Sequence, residues 1–422
     1  MQPLFNLIGF ILCLMLLFTG CSKTNKTKKT SHYKVNVAIN PEKQSLSTLV
    51  NITYIPKANE KTDSITFIGH ENIMIKKCIA NGLIRYHEKQ GGNKAKKIVL
   101  YFENEIEKNV NITFEYDFTL TQDDAPWGID KISNDWIELS LNSGWLPILS
   151  TYDNQFSADA SISIVSKNKF EILSSGTSKK LGKNTFQITN VVPQIDLVLL
   201  GSSNFEESID RNIAIYERKI NTERNNFIHQ LGNNSHQWLN NKFGKVKKLP
   251  SSKLVITPRT ESGYARKNLI VLSNDISVKD TIHFVNYITH EFAHFWSTGA
   301  NPLSPHRWLD ESIAEYIAWK YIEEKFNTKY LRKFLDNAEK EAVTIPPVYI
   351  KGNNEIPKHA VMYRKGVYKL FKLEQMIGQQ TMFLLLEEWF NVKEKNSENF
   401  LKQLEAISGT QISENFRREL SL

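Results

Sequence analysis

The sequence predicts two domains in tandem: an all-β saddle or sandwich, then an α+β domain that is mainly helical. Three observations carry this. The chain has 422 residues, too many for a single core. From about 33 to 205 the apolar pattern has a period of two. From 277 onward nearly everything reads as helical.

The β segments are "KVNVAI", "LVNITYI", "SITFIG", "KIVLYFE", "NITFEYDF", "WIELSL" and "SISIVS". They alternate or cluster β-branched and aromatic residues, and "NPEK", "NGL" and "QGGNK" supply the turns between them. The pattern changes after about 210. "TERNNFIHQLGNNSHQWLNNKF" reads as a helix, and "KLVITP" and "NLIVLS" read as strands. Helices are then expected over about 277–298, 308–325, 328–341, 360–377, 379–391, 396–407 and 411–420, punctuated by Pro305, Pro346, Pro347 and Pro357.

Residues 3 to 19 form an apolar run that is short for a bilayer span and sits at the extreme N-terminus, which predicts a signal peptide over 1–20. The run ends in "FTGCSK", which resembles the lipobox of bacterial lipoproteins. That resemblance implies lipidation of Cys21 and a place in the bacterial cell envelope. Phe18 stands where leucine is commonest, and "MQPLFN" lacks Lys and Arg. An uncleaved anchor or an ordinary secretory signal are the alternatives. Residues 21–32 are polar and basic, as expected of a flexible tether that follows the lipidated cysteine. The domains are then expected at 33–207 and 208–422.

The net charge is +8, but its lysines are scattered apart from the cluster after the N-terminus, and no basic stripe is interleaved with aromatics. Nucleic acid is therefore not an expected partner. Of the cysteines, Cys13, Cys21 and Cys78, only the last lies in the body of the chain, so no internal disulfide framework is possible there. Cys78 is expected as a buried thiol on a strand. Nothing in the sequence fixes the oligomeric state.

The chemistry concentrates in "HEFAHFW", residues 290–296. Ser277 is a candidate cap and Gly299 a candidate stop for the helix that carries it. His290 and His294, one turn apart, project from one face and can reach one zinc ion. Glu291 sits on the neighbouring flank, where a carboxylate can accept a proton from water activated by the metal. A third protein ligand is required, and Glu311 in "WLDESIAEY" begins the next amphipathic helix after a gap long enough for an antiparallel return. Glu315, one turn later, is placed to fix a ligand imidazole through its far nitrogen. The alternative class is a scaffolding lipoprotein with a purely structural metal, for which Glu291 would have no use.

HEFAH, WLDES and MYRKG in this order resemble the gluzincin zinc peptidases of the aminopeptidase N family. "HYKVNVAINPEKQSLSTLVNITY" and "GWLPILSTYDNQFSADASISIVS" resemble strands of that family's N-terminal domain. The resemblance implies a thermolysin-like catalytic domain, one Zn2+ per chain held by His290, His294 and Glu311, Glu291 as general base and Tyr363 as oxyanion donor. It implies a peptide substrate and aminopeptidase-like chemistry. The gap from His294 to Glu311 is two residues shorter than usual, and Ser312 replaces a glycine. The family's G-x-M-E-N segment, whose glutamate holds the substrate amine, aligns with "SGYARKNLIVLS", which has no glutamate. Gly263, Tyr264 and Arg266 are the expected substrate contacts, and Arg266 and Lys267 are expected to bring positive charge to the cleft. An endopeptidase of the same fold is therefore the second reading. "NLIVLS" is expected to be the edge strand along which a peptide lies.

Overall fold

The computed structural model describes residues 30–422 apart from 57–61, 93, 122–129, 151–154, 260–262 and 303. The signal segment and Cys21 lie outside the described residues. Among the described residues no helix is long and apolar enough to cross a membrane.

The N-terminal half is built on a seven-stranded sheet. Its order is Thr177–Lys180, Thr185–Gln194, Phe156–Ile164, His32–Asn40, Ser45–Tyr54, Val110–Thr119 and Met74–Ala80. His32–Asn40 runs parallel to Phe156–Ile164 and antiparallel to Ser45–Tyr54. The alternation read in the sequence maps onto the two faces: Tyr33, Val35, Val37 and Ile39 are buried, while Lys34 and Asn36 are exposed. A four-stranded sheet (Ile148–Leu149, Ser64–His70, Ala95–Phe102, Leu83–Gly92) contributes Ile65, Phe67, Ile98 and Leu100 to the same core as Phe114 and Phe118 of the large sheet. Cys78 is only half-buried, because Met74–Ala80 is the sheet's edge strand and turns few residues inward.

A third sheet, Glu171–Leu173, Leu199–Ser202, Trp136–Leu139 and Lys131–Ile132, joins the halves. Trp136 and Leu200 from it, with Val198 just before its Leu199–Ser202 strand, share a small core with Val255, Leu269 and Val271 of the second domain. Ion pairs surround this apolar joint, with the acid from the first domain and the cation from the second each time: Asp135 with Arg218, Glu138 with Arg259, and Asp196 with Arg266.

The second domain starts with a five-stranded sheet ordered Glu206–Asp210, Ile213–Glu217, Ser252–Ile256, Leu269–Leu272 and Tyr264–Arg266. Helix α1 (Thr222–Phe243) follows its second strand, and α2 (Thr281–Ser297) and α3 (Trp308–Lys325) lie beyond the sheet. Then come α4 (Thr328–Ala342), a π-helical turn (Val361–Lys365) leading into α5 (Gly366–Ile377), α6 (Gln379–Asn391), α7 (Ser397–Ser408) and α8 (Thr410–Ser421). Two expectations are corrected. "NLIVLS" is not the edge: its strand is fully buried between Ser252–Ile256 and the short Tyr264–Arg266, which holds the edge. Asp280, not Ser277, caps α2, accepting the backbone N–H of His283, whereas Ser277 closes the preceding turn on Lys279.

Candidate metal centre and active site

Helix α2 buries Phe284, Val285, Ile288 and Phe292 in the main core, which turns His290, Glu291 and His294 toward α3. Helix α3 is pinned against the end of α2 by Asp310, whose carboxylate accepts the backbone N–H groups of Gly299 (3.0 Å) and Ala300 (3.1 Å). This anchor lets the shortened connection still deliver Glu311 to the two imidazoles. Nε2 of His290 and Nε2 of His294 each lie 3.5 Å from Glu311 Oε2. One ligand atom from each of the three residues falls within 4.8 Å of the others.

The orientation suits a cation. Nδ1 of His290 is 3.0 Å from Glu315 Oε2, and Nδ1 of His294 is 3.3 Å from Ser297 Oγ. Both rings therefore hold their far nitrogens in hydrogen bonds and turn Nε2 toward the common point. Glu315 is itself fixed: its Oε1 accepts from Trp319 Nε1 (2.8 Å) and Asn286 Nδ2 (3.1 Å). Burial opposes a charge on His290, but Glu311 and Glu315 outweigh it and raise the imidazole to about 10. Burial likewise opposes charge on Glu311, yet hydrogen bonds from His290 and His294 hold its carboxyl well below the usual range. The protein thus concentrates negative charge at a buried point, which a divalent cation satisfies. The donor set of two imidazole nitrogens and a carboxylate oxygen is one that zinc takes with a fourth position open.

Glu291 stands beside this group without joining it. Its Oε2 is buried and, among the described residues, has no hydrogen-bond partner. Burial raises its pKa, with the neighbouring imidazoles opposing. Tyr363 projects from the π-helical turn, donates its phenol to Glu311 Oε2 (2.5 Å) and stacks on His290 with ring centroids 5.5 Å apart. At this turn Ser312 Oγ donates to the carbonyl of Met362 (2.6 Å), and a side chain on Gly366 would meet Ser312 Oγ at 2.2 Å. Ser312 in place of glycine is thus accommodated by a glycine on the facing helix.

The structure brings the remaining expected contacts near the cleft but commits them. Gly263 lies so close to Tyr287 Oη and Val271 O that a Cβ would stand 1.9 and 2.1 Å from them. Tyr264 is sandwiched between the guanidinium groups of Arg259 (5.0 Å) and Arg266 (4.9 Å). Arg266 is no free cation: its Nε and Nη2 donate to Asp196 at 2.7 and 3.1 Å. Lys267 turns the other way, to Asn190 Oδ1 (3.0 Å) and the Val192 carbonyl (2.9 Å). The expected cationic pair is therefore split across the edge strand. His306 is half-buried with its Nδ1 3.0 Å from Ser397 Oγ, and His283 is exposed.

Sequence reasoning missed Asn286, Trp319, Asp310, Asp196 and His359. Asn286 precedes His290 by one turn and Trp319 follows Glu315 by one turn, so helical spacing was a usable signal for both. His359 stacks on Tyr363 with centroids 4.3 Å apart, and it too is one turn away. Asp196 meets Arg266 across 70 residues, where no local pattern helps.

With this geometry in view, the comparisons agree. Residues 261–418 match the family described as "Peptidase family M1 domain". No curated protein matches the sequence. Among solved structures, the fold is similar to the M1 zinc metallopeptidase from Deinococcus radiodurans, with a TM-score of 0.70 at 14% identity over 93% of this chain and 94% of that one. A mutant M1 zinc metallopeptidase from the same organism, bound to a Tyr-Ser-Ala substrate, gives 0.67 at 15% over the same shares. The native leukotriene A4 hydrolase from Saccharomyces cerevisiae gives 0.70 at 15%, over 92% of this chain and 67% of that one. Fold, site and domain match together define a zinc metallopeptidase.

Proposed function

We propose that this metallopeptidase is an aminopeptidase-like peptide hydrolase of the bacterial cell envelope, tethered through a lipid on Cys21. His290, His294 and Glu311 would hold the zinc ion. When bound there, zinc supplies a Lewis acid that polarises a peptide carbonyl and acidifies water. Glu291, with its buried Oε2 unpartnered beside the three ligands, takes a proton from the attacking water and hands it to the leaving amine. Tyr363 donates a hydrogen bond from its phenol to the oxygen on which charge develops. The extended substrate lies along the edge strand Tyr264–Arg266, main chain to main chain.

The observation that carries the hydrolytic reading is the convergence of two Nε2 atoms and Glu311 Oε2, with an uncommitted Glu291 oxygen alongside. The deciding assay compares aminoacyl anilides with N-blocked peptides. Faster release from the anilides supports the aminopeptidase reading; preference for blocked peptides overturns it.

The endopeptidase reading has its own support. Two carboxylates near the edge strand are engaged by arginines, Asp196 by Arg266 and Glu138 by Arg259. A substrate ammonium would have to compete with a buried guanidinium for either. The tether is tested separately by labelling with a radioactive fatty acid: label that persists in Cys21→Ala removes it from the account.

A further inference from the structure

Where the domains meet, a cavity of about 550 Å³ opens, and none of the metal-site residues borders it. Its walls are Glu171–Leu173, Thr177–Lys180 and Thr185–Gln194 on one side, with Tyr216, Lys253 and the Lys267–Asn268 turn on the other. Three lysines face a single carboxylate there. That carboxylate, Glu171, is already shared by Lys180 (2.5 Å) and Lys169 (3.5 Å).

Among the described residues the other two lysines have no ion-pair partner. Lys253 is half-buried, and among the described residues its ammonium has no hydrogen-bond or ion-pair partner. Lys267 bonds only to neutral acceptors, Asn190 Oδ1 and the Val192 carbonyl. Burial, with Lys247 adding to it, pushes Lys267 down to about 8. Two further polar groups on the cavity wall are buried and short of partners: Asn190 Nδ2, in a residue 2% exposed, and Ser175 Oγ, in a residue 8% exposed. Half-buried ammonium groups without a carboxylate are costly to keep, and an anion removes that cost.

We propose that this cavity is a second binding site, which takes a phosphorylated small molecule by its phosphate group. Lys253 and Lys267 contribute donors only, and a phosphate contributes acceptors only, so the two chemistries match. The volume falls in the small-molecule range of about 300–1,000 Å³ and far exceeds a bare phosphate. Ile172, Leu173 and Val191 line the remainder and suit an organic body. A soluble phosphate ester and a phospholipid headgroup share this chemistry. The site is independent of the peptidase reading.

The zinc-loaded full chain is titrated by calorimetry at fixed ionic strength with inorganic phosphate, with glycerol phosphate, and with phosphatidylglycerol vesicles against phosphatidylcholine vesicles. Saturable binding is expected, weakened roughly tenfold or more by Lys253→Met and by Lys267→Met, as loss of a charge-assisted bond implies. Peptide cleavage by these variants is expected to be unchanged. Asn190→Asp, which keeps the side chain's size and adds a repelling charge, must weaken binding in the same way and guards against a variant that fails to fold. Vesicle binding lost with the same substitutions assigns the lipid source; binding of glycerol phosphate alone assigns the soluble one. Absence of saturable binding to all three probes overturns the proposal. So does binding that ignores these substitutions and competes with peptide, since that places the anion at the metal.

Discussion

Glu315 Oε2 sits 3.0 Å from His290 Nδ1, while its other oxygen is held by Trp319 and Asn286. The carboxylate thereby fixes both the tautomer and the rotation of a candidate metal ligand without joining the ligand group itself. Glu315→Gln is expected to leave the fold intact and to weaken zinc binding by about 10–100-fold. Competition with a chromophoric chelator measures this. An unchanged affinity would show that Glu315 does not act through His290.

The Asp196–Arg266 pair joins the two domains at the edge strand, with side chains only 4% and 16% exposed. Removing one partner leaves the other buried and unpaired, so Asp196→Ala should cost about 3–5 kcal/mol of stability. Urea unfolding of the parent and the variant tests the value. A cost below 1 kcal/mol, as expected for an exposed pair, would mean that water reaches this contact.

His359 is exposed yet lies flat on Tyr363, 15° from parallel. A ring is what the stack needs, so His359→Phe should keep kcat close to the parent. His359→Ala should lower kcat several-fold with little change in KM, because it frees the phenol that, in the proposed mechanism, acts on developing charge. Equal loss in both variants would point instead to a chemical role of the imidazole.

Glu398 is paired with Arg417, at 2.6 and 2.9 Å, and that pairing holds its carboxyl at about 2. A free glutamate titrates near 4.3, so the folded value is the lower one. The pair's stabilisation is therefore complete above about pH 4.3 and is lost as pH falls toward about 2. The gap in melting temperature between the parent and Glu398→Gln should be open at pH 6 and narrow steadily below about pH 4.3. A gap that stays constant with pH would exclude the ion pair as its source.

Much of this architecture was legible in the sequence, because helices here are long and strongly patterned. The motif on 281–297 follows from its apolar stripe, whereas the helix over 308–325, expected to be amphipathic, is buried on nearly every face, so its extent was legible but its one-sidedness was not borne out. The three candidate ligands were legible for the same reason: two sit on one helix face and the third opens the next helix. What escaped depends on contacts between distant residues. Strand propensity marks "NLIVLS" as a strand but says nothing of its neighbours, so the edge went to the wrong segment. The helix expected over 360–377 is continuous, but it passes through a π turn at Val361–Lys365, where Ser312, 50 residues away, donates to the Met362 carbonyl. Arg266 reads as a free cation until Asp196 is placed beside it.

The central claim is that His290, His294 and Glu311 together grip one zinc ion that Glu291 serves but does not bind. Zinc per chain, determined by mass spectrometry alongside peptide turnover, tests it in the parent, Glu311→Ala and Glu291→Gln. One zinc is expected in the parent, almost none in Glu311→Ala after dialysis against a mild chelator, and full zinc with turnover lost in Glu291→Gln. A parent that is metal-free and cannot be reloaded, or a Glu311→Ala variant that keeps its zinc, would contradict the account.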